Sequence, residues 1–329
     1  MQAKPKIYVT RRLPDEVINW LGDHCEMDMW ESEETPVPYE ELERQVEEVE
    51  GLYCLLTDRI DASLIARAKR LKVISTMAVG YNNIDVEAAT SRGVLVANTP
   101  GVLTETTADL TFALLMATAR RITESSEFLR SGKWKTWSPL LLTGMDVYGA
   151  TLGIIGMGSI GEAVARRARG FNMNILYHNR SRKPEVEREL GAVYADKRTL
   201  LRESDFVVLL TPLTPETRHL IGREELRLMK NTAVLINVAR GGIVDEAALY
   251  EALKNNEIWA AGLDVFEQEP VPLNHPLLTL PNVVTLPHIG SASVKTRMSM
   301  AHLAARQLVD ALNGKMPAHA VNRAVWQKD

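Results

Sequence analysis

The chain is predicted to be an α/β protein of two doubly wound parallel-sheet domains, on three observations. Short apolar, β-branched runs alternate with helical patterns for most of the length. The runs are continuous, as strands are when helices cover both faces of a parallel sheet. They fall into two sets, which regular β-then-α alternation turns into two sheets.

The first set comprises KIYVT (6–10), GLYCLLT (51–57), VISTMAV (73–79) and VLVAN (94–98). Residues 31–50, ESEETPVPYEELERQVEEVE, are acidic and read as a loop with a solvated helix face. A turn-rich segment, ANTPGVLTE (97–105), leads into a long helix over about 104–122. The Trp-rich stretch that follows, SGKWKTWSPLLLTGMDVYG (131–149), is too apolar for a free linker and is expected to pack on something. The second set comprises TLGIIG (151–156), NILYHN (174–179), DFVVLLTP (205–212), AVLINVA (233–239), AAGLDVF (260–266) and VVTLPH (283–288). The last helix spans about Ser291 to Asn313 and stops at Gly314, a good C-cap residue. It is expected to fold back on the first domain, which makes that domain discontinuous.

Bulk properties narrow the function. A length of 329 residues suits about two domains. A net charge of −4 argues against a general nucleic-acid or membrane surface, and 6% aromatic content leaves little for base stacking. The two cysteines, Cys25 and Cys54, make no disulfide framework and fit a reduced, cytoplasmic setting. The N-terminus lacks the long apolar stretch of a signal peptide. The apolar LTFALLMATA (110–119) is too short to span a bilayer and reads as a buried helix. No Cys/His cluster has zinc spacing, which disfavours a metal-dependent alcohol dehydrogenase.

GIIGMGSIG (153–161) carries a GxGxxG pattern between a strand and a helix. Gly156 permits the tight turn, Gly158 lets the backbone approach a pyrophosphate, and Gly161 lets the helix pack on the strand. The helix N-terminus presents free N–H groups to phosphate. A carboxylate about 20 residues further on would hold the ribose hydroxyls of NAD. No acid lies between Glu162 and Glu185; Arg180 and Arg182 flank Ser181 instead. Guanidinium groups bind phosphate through charge-assisted forks, so the loop reads as a 2′-phosphate site and the cofactor as NADP(H), with NAD(H) also possible.

Three charged residues end strands of the second set: Arg240 after LINVA, Glu269 after GLDVFEQ and His288 after VVTLP. Ligands collect at the carboxyl ends of strands in open α/β sheets. Reducing a 2-keto acid needs a hydride on the carbonyl carbon and a proton on its oxygen. An imidazolium supplies the proton, a carboxylate stabilises the charged ring, and a guanidinium grips the substrate carboxylate. On spacing alone, Glu267 competes with Glu269.

These segments, with LINVARGGIVDEAAL, AAGLDVFEQEP, LPHIGSAS and MAVGYNNID (77–85), resemble the signatures of the D-isomer-specific 2-hydroxyacid dehydrogenase family, in order over almost the whole chain. The resemblance implies a Rossmann dinucleotide-binding domain over 103–289, with a dimerisation segment at about 104–149. It implies a smaller, discontinuous, flavodoxin-like substrate domain over 1–102 and 290–329. It selects Glu269 over Glu267, making Arg240, Glu269 and His288 the catalytic set. It places cofactor contacts at Thr107, Gly156, Met157, Gly158, Ser159, Ile160, Gly161, Asn179, Arg180, Ser181, Arg182, Pro212, Val238, Ala239, Arg240, Asp264, His288 and Gly290. Substrate contacts are implied at Val79, Gly80, Arg240 and His288.

Within the family, NHPLLTLPNVVTLPHIGSAS with WKTWSPLLLTG looks most like the glyoxylate/hydroxypyruvate reductases, homodimers that often prefer NADPH. That likeness implies that Trp137 or Trp134 closes the partner's substrate pocket. Reduction of 2-ketogluconate or another 2-keto acid on the same machinery is the alternative, because pocket size depends on loops such as 53–59 and 137–143. Phosphoglycerate dehydrogenases prefer NAD, and many carry a C-terminal extension. A non-catalytic dinucleotide sensor is the remote alternative; such proteins keep the same charged set but carry long interaction tails.

Overall fold

The computed structural model describes residues 3–327; the outermost residues of the predicted substrate domain, 1–2 and 328–329, lie outside that range. The chain forms two compact units, Met1–Leu103 with Ser293–Asp329, and Thr104–Ala292.

The first unit holds five parallel strands: β1 (Lys6–Val9), β2 (Glu26–Met29), β3 (Gly51–Cys54), β4 (Val73–Thr76) and β5 (Leu95–Ala97). Their order is β2-β1-β3-β4-β5, the flavodoxin-like arrangement. The C-terminal helix Val294–Leu312 packs on this sheet. Tyr53 Oη and Ser75 Oγ donate to its Ala301 and Ala304 carbonyls at 3.3 and 2.8 Å. Ser293 caps its first turn through the Thr296 N–H, and Gly314 follows its end at φ 75°.

The second unit holds seven parallel strands: β6 (Thr151–Ile155), β7 (Asn174–His178), β8 (Val193–Tyr194), β9 (Phe206–Leu209), β10 (Val234–Asn237), β11 (Ala260–Leu263) and β12 (Val283–Thr285). Their order, β12-β11-β10-β9-β6-β7-β8, is the Rossmann arrangement with one added strand. The strands stay parallel there, but the order in which they are added reverses between β6 and β9, which makes that position the switch point. Two apolar layers explain the unbroken hydrophobic runs. Leu152, Ile154, Phe206, Val208, Val234 and Ile236 pack into one layer with Leu114 and Val164. Ile155, Val207, Leu209 and Leu235 pack into the other with Leu200 and Leu249. Every position of the central strands β9, β10 and β11 is therefore core, and polar alternation has no place there.

Two strands lie outside the sequence expectation, and both are sheet edges. β2 is EMDM with no buried residue, and β8 is only Val193-Tyr194, with Val193 58% exposed. An edge strand with little burial lacks the apolar run that marks interior strands. The expected long helix is Thr104–Ala119. It breaks at Arg121, at φ 52°, and a second helix, Ile122–Arg130, follows.

Candidate active site

The carboxyl end of β6 turns at Gly156 into the helix Ser159–Arg169. Gly156 sits at φ 105°, and a Cβ there would lie 2.7 Å from the Leu210 carbonyl carbon. A Cβ at Gly161 would lie 2.4 Å from the Gly156 carbonyl oxygen. At Gly158, the N-cap, a Cβ would meet nothing within 4 Å, and no side chain caps the helix. Met157 is buried in the core below, while Ser159 is exposed and Ile160 half-buried at the helix start. Thr211, whose backbone abuts Gly156, has a buried hydroxyl without a partner among the described residues, and Pro212 follows it. Open space over uncapped amides, beside an unpaired buried hydroxyl, fits a dinucleotide pyrophosphate.

β7 ends at His178 and leads to the loop Asn179–Arg182. Arg182 is held inside the loop, donating through Nε and Nη2 to Glu187 at 3.0 and 2.6 Å. Glu187 also accepts from the Tyr177 hydroxyl at 2.6 Å, and that hydroxyl accepts from the Lys183 N–H. Asn179 Nδ2 reaches the Ser181 carbonyl at 3.3 Å. Arg180 is exposed, and its charge reaches the Glu216 carboxyl and helps to lower it, without a hydrogen bond between them among the described residues. The two arginines therefore differ: one guanidinium is hydrogen-bonded to a carboxylate, and the other keeps its N–H groups available.

Arg240, Glu269 and His288 follow the adjacent strands β10, β11 and β12. Buried Asn237 shapes the first turn. Its Nδ2 donates to the Arg240 carbonyl at 2.9 Å, and its Oδ1 accepts from the Ala239 N–H at 3.1 Å. Arg240 Nη1 donates to the Ala239 carbonyl at 2.7 Å. Burial lowers the guanidinium pKa, and the charge of Glu269 opposes that shift. Glu269 Oε1 accepts from the Phe266 N–H at 3.0 Å, and its Oε2 accepts from His288 Nδ1 at 2.6 Å. Burial pushes the Glu269 carboxyl up. The His288 hydrogen bond and charge, the Phe266 N–H and Arg240 outweigh it and hold the carboxyl below the usual range. Glu267 bonds a different histidine, with His219 Nε2 at 3.0 Å.

His288 itself lies at φ 55°. Its turn is braced by buried Asp264, whose two carboxylate oxygens accept the Ile289 and Gly290 N–H groups, each at 2.8 Å. Burial raises the Asp264 carboxyl above its ordinary value, against those two hydrogen bonds and the His288 charge. Gly290 also lies against Val238 and Thr107. Asn237 and Thr211 are the positions that sequence reasoning missed. The available signal was a polar residue at the end of an apolar strand.

Val79 and Gly80 belong to the first unit, beyond the carboxyl end of β4. There the Val79 carbonyl accepts from Asn98 Nδ2 at 2.7 Å. Trp137 belongs to the second. Residues 131–149 form turns without helix or strand, and Trp134, Trp137 and Leu140 are 54, 75 and 82% exposed. The expected packing is therefore found for the end of the stretch, where Val147 is buried in the core and the Met145 N–H donates to the Ala119 carbonyl at 2.8 Å, while Trp134, Trp137 and Leu140 have no such cover within the chain. Among the described residues no helix is long and apolar enough to cross a membrane, and no His, Cys, Asp and Glu group has the arrangement of a metal site.

Residues 112–290 match the family described as D-isomer specific 2-hydroxyacid dehydrogenase, NAD binding domain. The glyoxylate reductase of Korarchaeum cryptofilum is 52% identical over 98% of this chain and 97% of its own. That of Thermococcus kodakarensis is 52% identical over 98% and 97%. Among solved structures, the TT0316 protein of Thermus thermophilus matches with TM-score 0.89 and 47% identity, over 96% of this chain and 99% of that one. The NADPH-dependent glyoxylate/hydroxypyruvate reductase of Sinorhizobium meliloti, in complex with NADP and malonate, matches with TM-score 0.87 and 33% identity, over 99% of both chains.

Proposed function

The chain belongs to the D-isomer-specific 2-hydroxyacid dehydrogenase family, and from that premise we propose that this NAD(P)-dependent oxidoreductase is an NADPH-preferring reductase of glyoxylate and hydroxypyruvate. The products are glycolate and D-glycerate. The observation that carries the reading is the His288–Glu269 pair at the ends of β12 and β11, with Arg240 at the end of neighbouring β10. The relatives named glyoxylate reductase support the substrate class, and the Sinorhizobium meliloti structure with NADP supports the cofactor.

The chain's own groups divide the work. The Gly156–Gly161 turn and its helix bind the pyrophosphate. Arg180, with Asn179 and Ser181 beside it, receives the 2′-phosphate. When bound there, a reduced nicotinamide cofactor would supply the hydride for the carbonyl carbon. Glu269 holds the His288 Nδ1 and fixes the ring, which leaves the Nε2–H to protonate the keto oxygen. Arg240 neutralises the substrate carboxylate and polarises the carbonyl.

We further assign the exposed apolar stretch 131–149, with the helix Ile122–Arg130 before it, to a homodimer interface. Ile122, Leu129, Trp134, Trp137, Leu140 and Tyr148 are each more than half exposed, and exposed large apolar side chains gathered on one segment mark an interaction surface. Trp137 is assigned to the partner's substrate pocket. Cys25 and Cys54 are free and buried, which accords with a cytoplasmic enzyme.

The test is steady-state turnover at neutral pH with NADPH and NADH, each against glyoxylate, hydroxypyruvate, 2-ketogluconate and pyruvate. A higher kcat/KM with NADPH on glyoxylate or hydroxypyruvate is expected. Preference for NADH would overturn the cofactor assignment. Faster reduction of 2-ketogluconate would replace the substrate assignment while keeping the chemistry.

A further inference from the structure

A second charged cluster of the same unit lies beside the proposed catalytic carboxylate and takes no part in the chemistry above. Glu246 opens the helix Glu246–Lys254, after the turn that carries Arg240. Its Oε1 accepts the Glu267 N–H at 2.7 Å, and its Oε2 pairs with His275 Nε2 at 3.1 Å. Glu267 answers in kind: its Oε1 accepts from His219 Nε2 at 3.0 Å and from the Glu246 N–H at a longer 3.5 Å. Two glutamates thus each bind the other's backbone amide, and each carries a histidine. His275 Nδ1 is buried without a partner among the described residues, so that ring's polar contact is with Glu246.

The cluster ties the catalytic turns together. The His219 N–H donates to the Gly242 carbonyl at 2.8 Å, which fastens the Arg240–Gly242 turn. A Cβ on Gly241 would lie 1.8 Å from the Phe266 carbonyl carbon, so the two turns touch backbone to backbone. The peptide next to the clasped Glu267 amide supplies the Phe266 N–H that holds Glu269 Oε1.

We propose that Glu246, braced by His275, is a positioning residue for the Glu269–His288 pair, acting through the Glu267 amide. This rests on the functional reading above, because the pair matters only if it handles a proton. Like-charge neighbours in a half-buried site need a reason to persist. Burial raises the Glu246 carboxyl and the Glu267 charge adds to the rise, while the Glu267 N–H and His275 oppose it. Coupling Arg240 and Glu269 to one helix start supplies that reason. A misplacement of about 1 Å in a reacting group costs about 10²-fold in rate.

The test compares Glu246→Ala, Glu246→Gln and His275→Gln with the wild type in two readouts. The first is steady-state kinetics with NADPH and glyoxylate, together with NADPH affinity by fluorescence titration. Glu246→Ala is expected to lower kcat by about 10- to 100-fold and leave NADPH affinity unchanged. Glu246→Gln keeps an acceptor for the Glu267 amide and should restore most of the loss. The second readout is the low-field proton resonance of the His288–Glu269 hydrogen bond, which needs no substrate. It should weaken or move upfield in Glu246→Ala and stay in Glu246→Gln. A folded Glu246→Ala with wild-type kcat and an unmoved resonance would overturn the proposal. Should Glu246→Ala not fold, His275→Gln decides: unchanged kcat and resonance there overturn it equally. If the wild type turns over no keto acid but the resonance moves as stated, the positioning role stands and the functional reading falls.

Discussion

His288 combines a φ of 55° with a 2.6 Å bond to Glu269, and a non-glycine residue keeps such a backbone only when its surroundings over-determine it. Asp264 does that by holding the two amides after it. His288→Ala should therefore lower kcat by about 10²- to 10⁴-fold with NADPH affinity retained. Near-normal turnover would remove His288 from the proton step. The two loop arginines should separate in the same assay. Arg180→Ala loses an available charge-assisted donor, worth about 1.5–3 kcal/mol, and should weaken NADPH but not NADH. Arg182 already pairs with Glu187, so Arg182→Ala should cost NADPH less. Equal losses for both cofactors would sink the 2′-phosphate assignment. Glu269 adds a pH dependence with a definite sign. Its carboxyl is held below the ordinary value in the folded protein, so its contribution is present above the unfolded value of about 4.3. That contribution is lost as pH falls through the folded value. The Tm difference between wild type and Glu269→Gln should shrink on acidification below about pH 4.

In the turn from β6 to its helix, Gly161 and Gly158 carry different burdens. A side chain on Gly161 would overlap the Gly156 carbonyl, so Gly161→Ala should destabilise the fold by about 1–3 kcal/mol. Gly158 faces open space, so Gly158→Ala should keep its Tm and weaken NADPH instead. Thermal melts beside cofactor titrations would read the contrast, and a large Tm loss for Gly158→Ala would refute it. The pattern GxGxxG was legible in the sequence. Which glycine guards the fold and which guards ligand space was not, because that depends on where Leu210 and the Gly156 carbonyl lie. The edge strands were illegible for a related reason: half-exposed strands need no apolar run.

Between the two units, the chain passes from Leu103 to Thr104 and returns at Ala292 to Ser293. The returning helix Val294–Leu312 completes the first sheet's cover, so truncation after Ala292 should expose Tyr53 and Ser75 and leave that unit unfolded. The exposed apolar stretch makes an assembly prediction. Leu129→Asp with Leu140→Asp should convert a dimer to monomers by light scattering, with loss of activity if Trp137 serves the partner. A wild type that is monomeric at micromolar concentration would refute the interface.

Local chemistry along the chain determined the α/β class, the interior strands, the glycine turn, the missing acid after β7 and the three charged strand ends. Each is written in residue type and spacing over a few positions. Tertiary structure decided what spacing left open. It gave His288 to Glu269 and His219 to Glu267, although both glutamates suit the spacing. It occupied Arg182 with Glu187 and left Arg180 available. It also joined Glu246 to the Glu269 turn across some twenty residues of chain. Hydrogen-bond partners are chosen by distance in space, and a sequence lists only distance along the backbone.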